Sequence, residues 1–123
     1  MHRRPTVLLN RVLLADDNDQ LRSALALLLE ARIGVLIVGE ARSMDELLAG
    51  LAAAQPEVVV LDWELPGEPR FGRVEALRTV VPGVRVIVTS ARPEAAAEAR
   101  AAQADAFIDK AAPPEAIRAL FHA

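Results

Sequence analysis

Residues 58–62 read Val-Val-Val-Leu-Asp, four apolar residues closed by a carboxylate. β-branched residues favour strands, and an unbroken apolar run of this length is typical of a strand buried on both faces of a parallel sheet. We therefore predict a buried strand over residues 58–61 that ends at Asp62. This strand is the reference for the rest of the chain.

Shorter apolar runs and helical patterns alternate on both sides of this strand. The other predicted strands cover residues 12–15, 35–38, 84–88 and 106–108. Helical patterns lie at residues 21–28, 43–55, 74–78 and 94–103, and from residue 113 onward. Ser43 and Glu46 form a capping box that opens the second helix. Such alternation predicts βαβ units and a parallel sheet with helices on both faces.

The predicted fold is a single doubly wound α/β domain with five strands. A flavodoxin-like strand order of 2-1-3-4-5 fits five such repeats, with a binding crevice at the carboxyl ends of strands one and three. We assign residues 1–10 to an N-terminal extension and residues 11–123 to the domain. A length of 123 residues suits one compact domain.

Composition excludes several kinds of chemistry. The chain has no cysteine, which excludes disulfides and thiolate sites, and its two histidines, His2 and His122, lie at the chain ends. Histidine triads and histidine-rich zinc sites are therefore not expected. With a net charge of −3 and a single lysine, Lys110, the chain is not expected to grip nucleic acid by itself.

The N-terminus begins with basic residues and an apolar stretch, as a signal peptide does. Asn10 and Arg11 interrupt that stretch, and Asp16 and Asp17 follow it, so a secretory segment is not favoured. No apolar run approaches the ~20 residues of a membrane span. We expect a cytoplasmic protein without membrane contact.

Polar residues follow four of the predicted strands. Asp16 and Asp17 follow the first, Asp62 the third, Ser90 the fourth and Lys110 the fifth. All should meet at the carboxyl edge of the sheet. Mg²⁺ prefers oxygen ligands and would offset the repulsion of converging carboxylates, while Lys110 and Ser90 are suited to hold phosphoryl oxygens beside Asp62.

Each residue also has an ordinary structural interpretation. Asp17 or Asn18 would serve as a helix N-cap, and Lys110 as a solvated loop residue. Asp62 would be a polar strand end and Ser90 a turn residue. Their joint placement at one predicted crevice favours a functional site.

Four stretches, VLLADDN, VVVLDWELPG, VIVTSA and FIDK, resemble the signature segments of bacterial response-regulator receiver domains, in the same order and on the same elements. The resemblance covers residues 11 to about 120. It implies a phosphorylation-controlled switch that takes a phosphoryl group onto Asp62. It also implies that the chain is not an enzyme beyond catalysing its own phosphorylation and dephosphorylation.

The resemblance also assigns the metal ligands and the phosphoryl contacts. Asp16, Asp17, Asp62 and the backbone carbonyl of Glu64 would hold Mg²⁺. Lys110 would pair with the phosphoryl group.

Ser90 would be the switch hydroxyl and Phe107 the aromatic switch residue. Ser90 is preferred to Thr89 because it precedes the small Ala91, and because neighbouring strand residues point to opposite faces. Glu64 and Arg92 lie two residues after the acceptor and the switch hydroxyl. We expect this oppositely charged pair to meet across the mouth of the site and to slow dephosphorylation.

Three features depart from the family pattern. Ala111 stands where proline commonly follows the lysine in a cis peptide, so the local path is expected to differ. The loop over residues 67–71 carries an extra proline and an arginine. The helix over residues 93–103 is almost entirely Ala, Glu and Arg, and we expect it to be loosely held.

Two other functions use a similar set of residues. A haloacid-dehalogenase phosphatase also uses an aspartate and Mg²⁺, but it needs Asp-x-Asp after its first strand, whereas here the acceptor follows the third strand and Glu64 stands two residues on. A pseudo-receiver would lack part of the acidic pair, acceptor or lysine, and all are present. The resemblance implies a sensor histidine kinase as partner, with a C-terminal DNA-binding output domain, a protein target or a second copy as output.

Overall fold

A computed structural model describes residues 10–121. Its elements in chain order are β1 (Arg11–Ala15), α1 (Asp19–Leu28), a π-helical turn (Leu29–Ile33), β2 (Leu36–Ala41), α2 (Met44–Ala54), β3 (Val58–Asp62), α3 (Arg73–Val80), β4 (Arg85–Ser90), α4 (Ala95–Ala101), β5 (Ala106–Asp109) and a 3-10 helix (Pro114–Phe121). Nearly all of the predicted N-terminal extension lies outside the described residues, as does His122. The division at residue 10 therefore stays a prediction.

The five strands form one sheet in the order β2-β1-β3-β4-β5, and every pair of neighbours is parallel. This confirms the predicted doubly wound fold. Because all strands run in the same direction, their carboxyl ends share one edge of the sheet. The residues after β1, β3, β4 and β5 are thereby brought to that edge.

The central strand β3 is buried at all five positions. Its alternate side chains enter two different apolar layers, as the two-residue period of a strand requires. Val59 and Leu61 pack in the layer that includes residues of α2, α3 and α4. Val58 and Val60 pack in the opposite layer, with Leu29 and Ile117. The acceptor candidate Asp62 is thus the last residue of the most enclosed strand.

The second strand differs from its prediction. We expected residues 35–38, bounded by glycines, whereas β2 runs from Leu36 to Ala41. Gly39 does not end the strand because it continues the parallel pairing, opposite Leu13. A Cβ atom at Gly39 would lie 3.5 Å from the Leu13 side chain, an ordinary contact. A side chain would therefore fit at Gly39, and this glycine is neither required by crowding nor the end of the strand.

The helices begin and end at their capping residues and do not extend over every residue with high helix propensity. Ser43 Oγ accepts from Glu46 N at 3.2 Å, but the Glu46 carboxylate accepts from Arg42 N and not from Ser43 N. The alanine-rich helix is shorter than the predicted 94–103, since α4 covers Ala95–Ala101 and Gln103 has a φ of 67°. The final segment is a 3-10 helix.

Within residues 10–121, none of the helices has the length and apolar character needed to cross a membrane.

Candidate functional site

Three carboxylates meet at the carboxyl edge of the sheet. Asp16 and Asp17 follow β1, Asp62 ends β3, and one carboxylate oxygen from each lies within 4.8 Å of the others. Asp16 and Asp62 are buried, at 8% and 3% exposure, whereas Asp17 is exposed. The structure therefore brings together the three acidic residues that the sequence singled out.

Backbone amides orient the two buried carboxylates. Asp16 Oδ1 accepts from Asn18 N at 2.8 Å, and Asp62 Oδ1 accepts from Glu64 N at 3.0 Å. Each bond joins a residue to the amide two positions on, so the turns after β1 and β3 fix the carboxylates. One oxygen of each side chain is held by the protein, and the other faces the remaining members of the site.

Lys110 supplies a cation between the two buried carboxylates. Its Nζ lies 2.8 Å from Asp16 Oδ2 and 3.4 Å from Asp62 Oδ2. The end of β5 places it there, since Lys110 N donates to Ser90 O at 2.9 Å. Burial would lower the pKa of Lys110, but Asp16 and Asp62 together outweigh it, so the pKa is raised. The side chain is therefore firmly cationic.

The pKa of Asp62 is raised above its ordinary value. Burial is the main cause, and the nearby Asp16 carboxylate adds to it. The Glu64 amide and the Lys110 cation act in the opposite direction without cancelling the effect of burial. A carboxylate that costs free energy to ionise gains from a bound cation, which favours its charged form.

The donor set fits a hard divalent cation. Three carboxylates at one point supply the oxygen ligands that Mg²⁺ takes, and an octahedral ion would keep waters at its other positions. The alternative that Asp17 is a helix cap is not supported, because Asn18 Oδ1 accepts from Leu21 N at 3.0 Å and caps α1. Asp17 is therefore not the N-cap of α1.

Ser90 and Thr89 occupy opposite faces of β4. Thr89 is the in-register neighbour of Asp62 and lines one cavity with Asp16 and Lys110. The alternation argument for Ser90 is therefore wrong, because Thr89 shares the face of Asp62. Ser90 lies on the face of Phe107, and the motif remains the reason for assigning it the switch role.

Ser90 is fully buried, and its hydroxyl is engaged by neighbours. It donates to Glu64 Oε1 at 2.8 Å and accepts from Arg92 N at 3.0 Å. Arg92 Nε in turn lies 3.1 Å from Glu64 Oε2. The expected contact between Glu64 and Arg92 is thus present, and its place across the approach to Asp62 stays a prediction. The placement of Ser90 against Glu64 was not expected from the sequence.

Two arginines that sequence reasoning missed support the site. Arg73 is 4% exposed, and its guanidinium donates to the carbonyls of Trp63, Gly67 and Pro69. Arg22 Nη1 donates to Asp16 O at 2.7 Å. No local pattern marks either residue, because their partners lie in other turns.

Phe107 and Ala111 lie on either side of Lys110. Phe107 is partly buried against the apolar layer that contains Val88, its register partner on β4. Among residues 10–121 the cis peptide is Glu68–Pro69, so the bond from Lys110 to Ala111 is trans. Ala111 N donates to Asp109 Oδ1 at 2.8 Å, which gives the turn a local anchor.

Comparison with known proteins gives a consistent result. Residues 12–122 match the family described as the response regulator receiver domain. The chain is 33% identical over 108 residues to the transcriptional activator protein ExaE of Pseudomonas putida, covering 86% of this chain and 50% of that protein. It is 33% identical over 102 residues to the DNA-binding transcriptional activator DevR/DosR of Mycobacterium tuberculosis, covering 81% and 47%.

A solved structure is similar over nearly its whole length. The signal receiver domain of the response regulator NarL from Mycobacterium tuberculosis superposes with a TM-score of 0.80 at 28% identity, covering 91% of this chain and 92% of that one. The chain spans about half the length of the two curated relatives.

Proposed function

The chain belongs to the response regulator receiver family, and from this premise we propose that Asp62 is the residue that accepts the phosphoryl group. The chain is a receiver domain of the two-component kind, and phosphorylation with Mg²⁺ is general in that family. The assignment of those properties to particular residues is our proposal. Because the chain belongs to this family, the alternative of a haloacid-dehalogenase phosphatase is not retained.

One observation carries the proposal. Lys110 and the Asp16–Asp17–Asp62 cluster meet at the end of the most buried strand, with Lys110 Nζ within 3.4 Å of an Asp62 oxygen. In the reaction, an Asp62 carboxylate oxygen attacks phosphorus. The bond from phosphorus to a donor histidine nitrogen, or to the oxygen of a small acyl phosphate, breaks as the new P–O bond forms. Lys110 is positioned to pair with the phosphoryl oxygens.

Mg²⁺ is the metal that we assign to this site. Asp16, Asp17, Asp62 and the Glu64 carbonyl would hold it, and when bound it would supply positive charge that offsets the carboxylates and the incoming phosphoryl group. Asp16 and Asp62 are fixed by backbone amides and need little reorganisation. The exposed Asp17 would complete the acidic pair.

We infer the partners from the family and its relatives. A sensor histidine kinase is the proposed donor. A DNA-binding segment is the proposed output, since the relatives include a DNA-binding transcriptional activator and extend well beyond the matched region. A protein target or a second copy is the alternative output. Catalysis by this domain is limited to its own phosphorylation and dephosphorylation.

Mass spectrometry tests the acceptor assignment. The protein is incubated with Mg²⁺ and acetyl phosphate, and its intact mass is measured. We expect the addition of one phosphoryl group, which is lost in Asp62→Asn and kept in Asp105→Asn, a control outside the site. Phosphorylation that persists in Asp62→Asn would overturn the assignment, as would no phosphorylation of the wild type by a donor shown to be active.

A further inference from the structure

The Ser90 hydroxyl already donates its one proton in a hydrogen bond. A serine hydroxyl offers a single O–H donor, and that donor points to Glu64 Oε1 at 2.8 Å. Its lone pair accepts from Arg92 N at 3.0 Å, and the residue is fully buried. While the bond to Glu64 exists, Ser90 cannot donate to a phosphoryl oxygen.

The Glu64 carboxylate is held in that position from its other side. Arg92 Nε lies 3.1 Å from Glu64 Oε2, so each oxygen of Glu64 has a different partner. Arg92 Nη2 lies 3.0 Å from Glu98 Oε1 on α4. The guanidinium therefore bridges the residue that holds Ser90 and the first helix after β4.

Glu98 is itself anchored beside the acceptor. Its Oε1 accepts from Trp63 Nε1 at 2.9 Å, and Trp63 is the residue that follows Asp62. The bonds to Arg92 and to Trp63 both lower the pKa of Glu98, so it stays ionised. The series Trp63, Glu98, Arg92, Glu64 and Ser90 forms one continuous polar network.

We propose that the Glu64 carboxylate competes with the phosphoryl group for the Ser90 hydroxyl, and that Glu98 is a positioning residue that keeps Glu64 in place through Arg92. The inference rests on the proposed function, and it also takes Ser90, which the family motif marks as the switch hydroxyl, to be the group that binds the phosphoryl group on Asp62. Phosphorylation then requires Ser90 to exchange one anionic acceptor for another. Because Arg92 bonds to both acids, the movement of Glu64 is transmitted to α4.

Binding of beryllofluoride, an analogue of the phosphoryl group, tests this directly. Its affinity is measured calorimetrically at saturating Mg²⁺. Glu64→Ala should bind it about three- to tenfold more tightly, the range expected for loss of one competing, partly solvated hydrogen bond. Glu64→Gln, which keeps an acceptor without charge, should give a smaller gain, and it carries the test if the alanine variant does not fold.

Glu94→Ala is the matched control. Glu94 also lies near Arg92, at 3.4 Å, and its loss changes the charge equally, but it contacts neither Ser90 nor Trp63 in the described structure. We expect no change in affinity. Glu98→Ala should give part of the Glu64→Ala gain, and no further gain when combined with Glu64→Ala, because it acts through the same contact.

A Ser90→Ala background separates competition from simple charge repulsion. If Glu64 acts by holding Ser90, the gain from Glu64→Ala should disappear in that background. A gain that persists there, or that appears equally in Glu94→Ala, would overturn the inference and leave the proposed function intact. If Asp62→Ala binds beryllofluoride as tightly as the wild type does, the proposed function itself would be overturned.

Discussion

Lys110 Nζ lies 2.8 Å from Asp16 Oδ2, closer than the 3.4 Å that separates it from Oδ2 of the proposed acceptor Asp62. The same cation therefore neutralises a proposed metal ligand and faces the proposed phosphoryl site. A lysine ammonium beside a carboxylate reduces the field that attracts a divalent cation. Lys110 should oppose Mg²⁺ binding while favouring the phosphorylated state.

Removing this cation should separate the two effects. We expect Lys110→Ala to bind Mg²⁺ several-fold more tightly and to retain much less phosphoryl group. Trp63 emission should respond to the metal, since Trp63 is the single tryptophan and adjoins Asp62. Arg32→Ala, which removes a positive charge at an exposed position, is the control. Equal Mg²⁺ affinities for the lysine variant and the wild type would contradict this view of the site.

Asp17 and Asn18 should respond in opposite ways to substitution. Asn18 caps α1, so Asn18→Ala should lower the free energy of unfolding by about 1 kcal/mol. Asp17 is exposed, and Asp17→Ala should change stability by less than about 0.5 kcal/mol while strongly weakening Mg²⁺ binding. Urea denaturation and Trp63 titration measure the two effects. An unaltered Mg²⁺ titration for Asp17→Ala would remove it from the ligand set.

Asp62 should destabilise the metal-free protein at neutral pH. Its pKa in the folded protein lies above the ordinary value of 3.8, chiefly because of burial. The stabilising contribution of its protonated form is present below that ordinary value and is lost as the pH rises through the raised pKa. In chelator, Asp62→Asn should therefore exceed the wild type in stability, by a margin that grows between pH 4 and the raised pKa.

Urea midpoints across this pH range give the measurement, with the exposed Glu30→Gln as control. A margin that is independent of pH, or that shrinks as pH rises, would show that the buried carboxyl is not the cause.

The Glu64–Arg92 pair should lengthen the lifetime of the phosphoryl group. We propose that Glu64 leaves Ser90 on phosphorylation but keeps its contact with Arg92 across the approach of water. Arg92→Ala should then lose phosphate several-fold faster, whereas Arg100→Ala, an exposed arginine on α4, should not. Decay is followed by intact mass after the donor is removed. Equal lifetimes for Arg92→Ala and the wild type would remove the idea.

Activation should alter the face formed by β4, α4 and β5. Ser90 and Phe107 lie on the same face of the sheet, and Phe107 packs against the layer that contains Ala99 of α4. A Ser90 displacement should let Phe107 turn inward, and a switch needs such differential contacts. Hydrogen exchange with and without beryllofluoride and Mg²⁺ should change within residues 90–110. Changes confined to the surroundings of Asp16 and Asp62 would contradict this route.

The fold and the core of the site were accessible from sequence because both follow from periodicity. Buried parallel strands are continuous apolar runs, and residues at their carboxyl ends must meet. Asp16, Asp62 and Lys110 were found in this way. The boundary of β2 was misplaced because Gly39 reads as a terminator locally, although pairing with β1 carries the strand past it.

The contacts of Arg73, and the bond between Ser90 and Glu64, could not be predicted. Arg73 serves carbonyls of a turn whose path depends on the whole loop. The faces of Thr89 and Ser90 depend on the register of β4 against β3, and register is set by packing on both sides. Motif position alone does not report it.

The burial of β3 separates the residue proposed to accept the phosphoryl group from the residues expected to set the lifetime of the phosphorylated state. The proposed acceptor Asp62 ends a strand with no exposed position. Glu64, Arg92 and Glu98, which form the polar network around the Ser90 hydroxyl, lie on turns and on a short helix. Substitutions in those turns can alter the lifetime of the phosphoryl group without changing the position of the Asp62 carboxylate. The lifetime of the phosphorylated state can therefore vary with these residues, while the capacity to accept a phosphoryl group depends on the end of a fully buried strand.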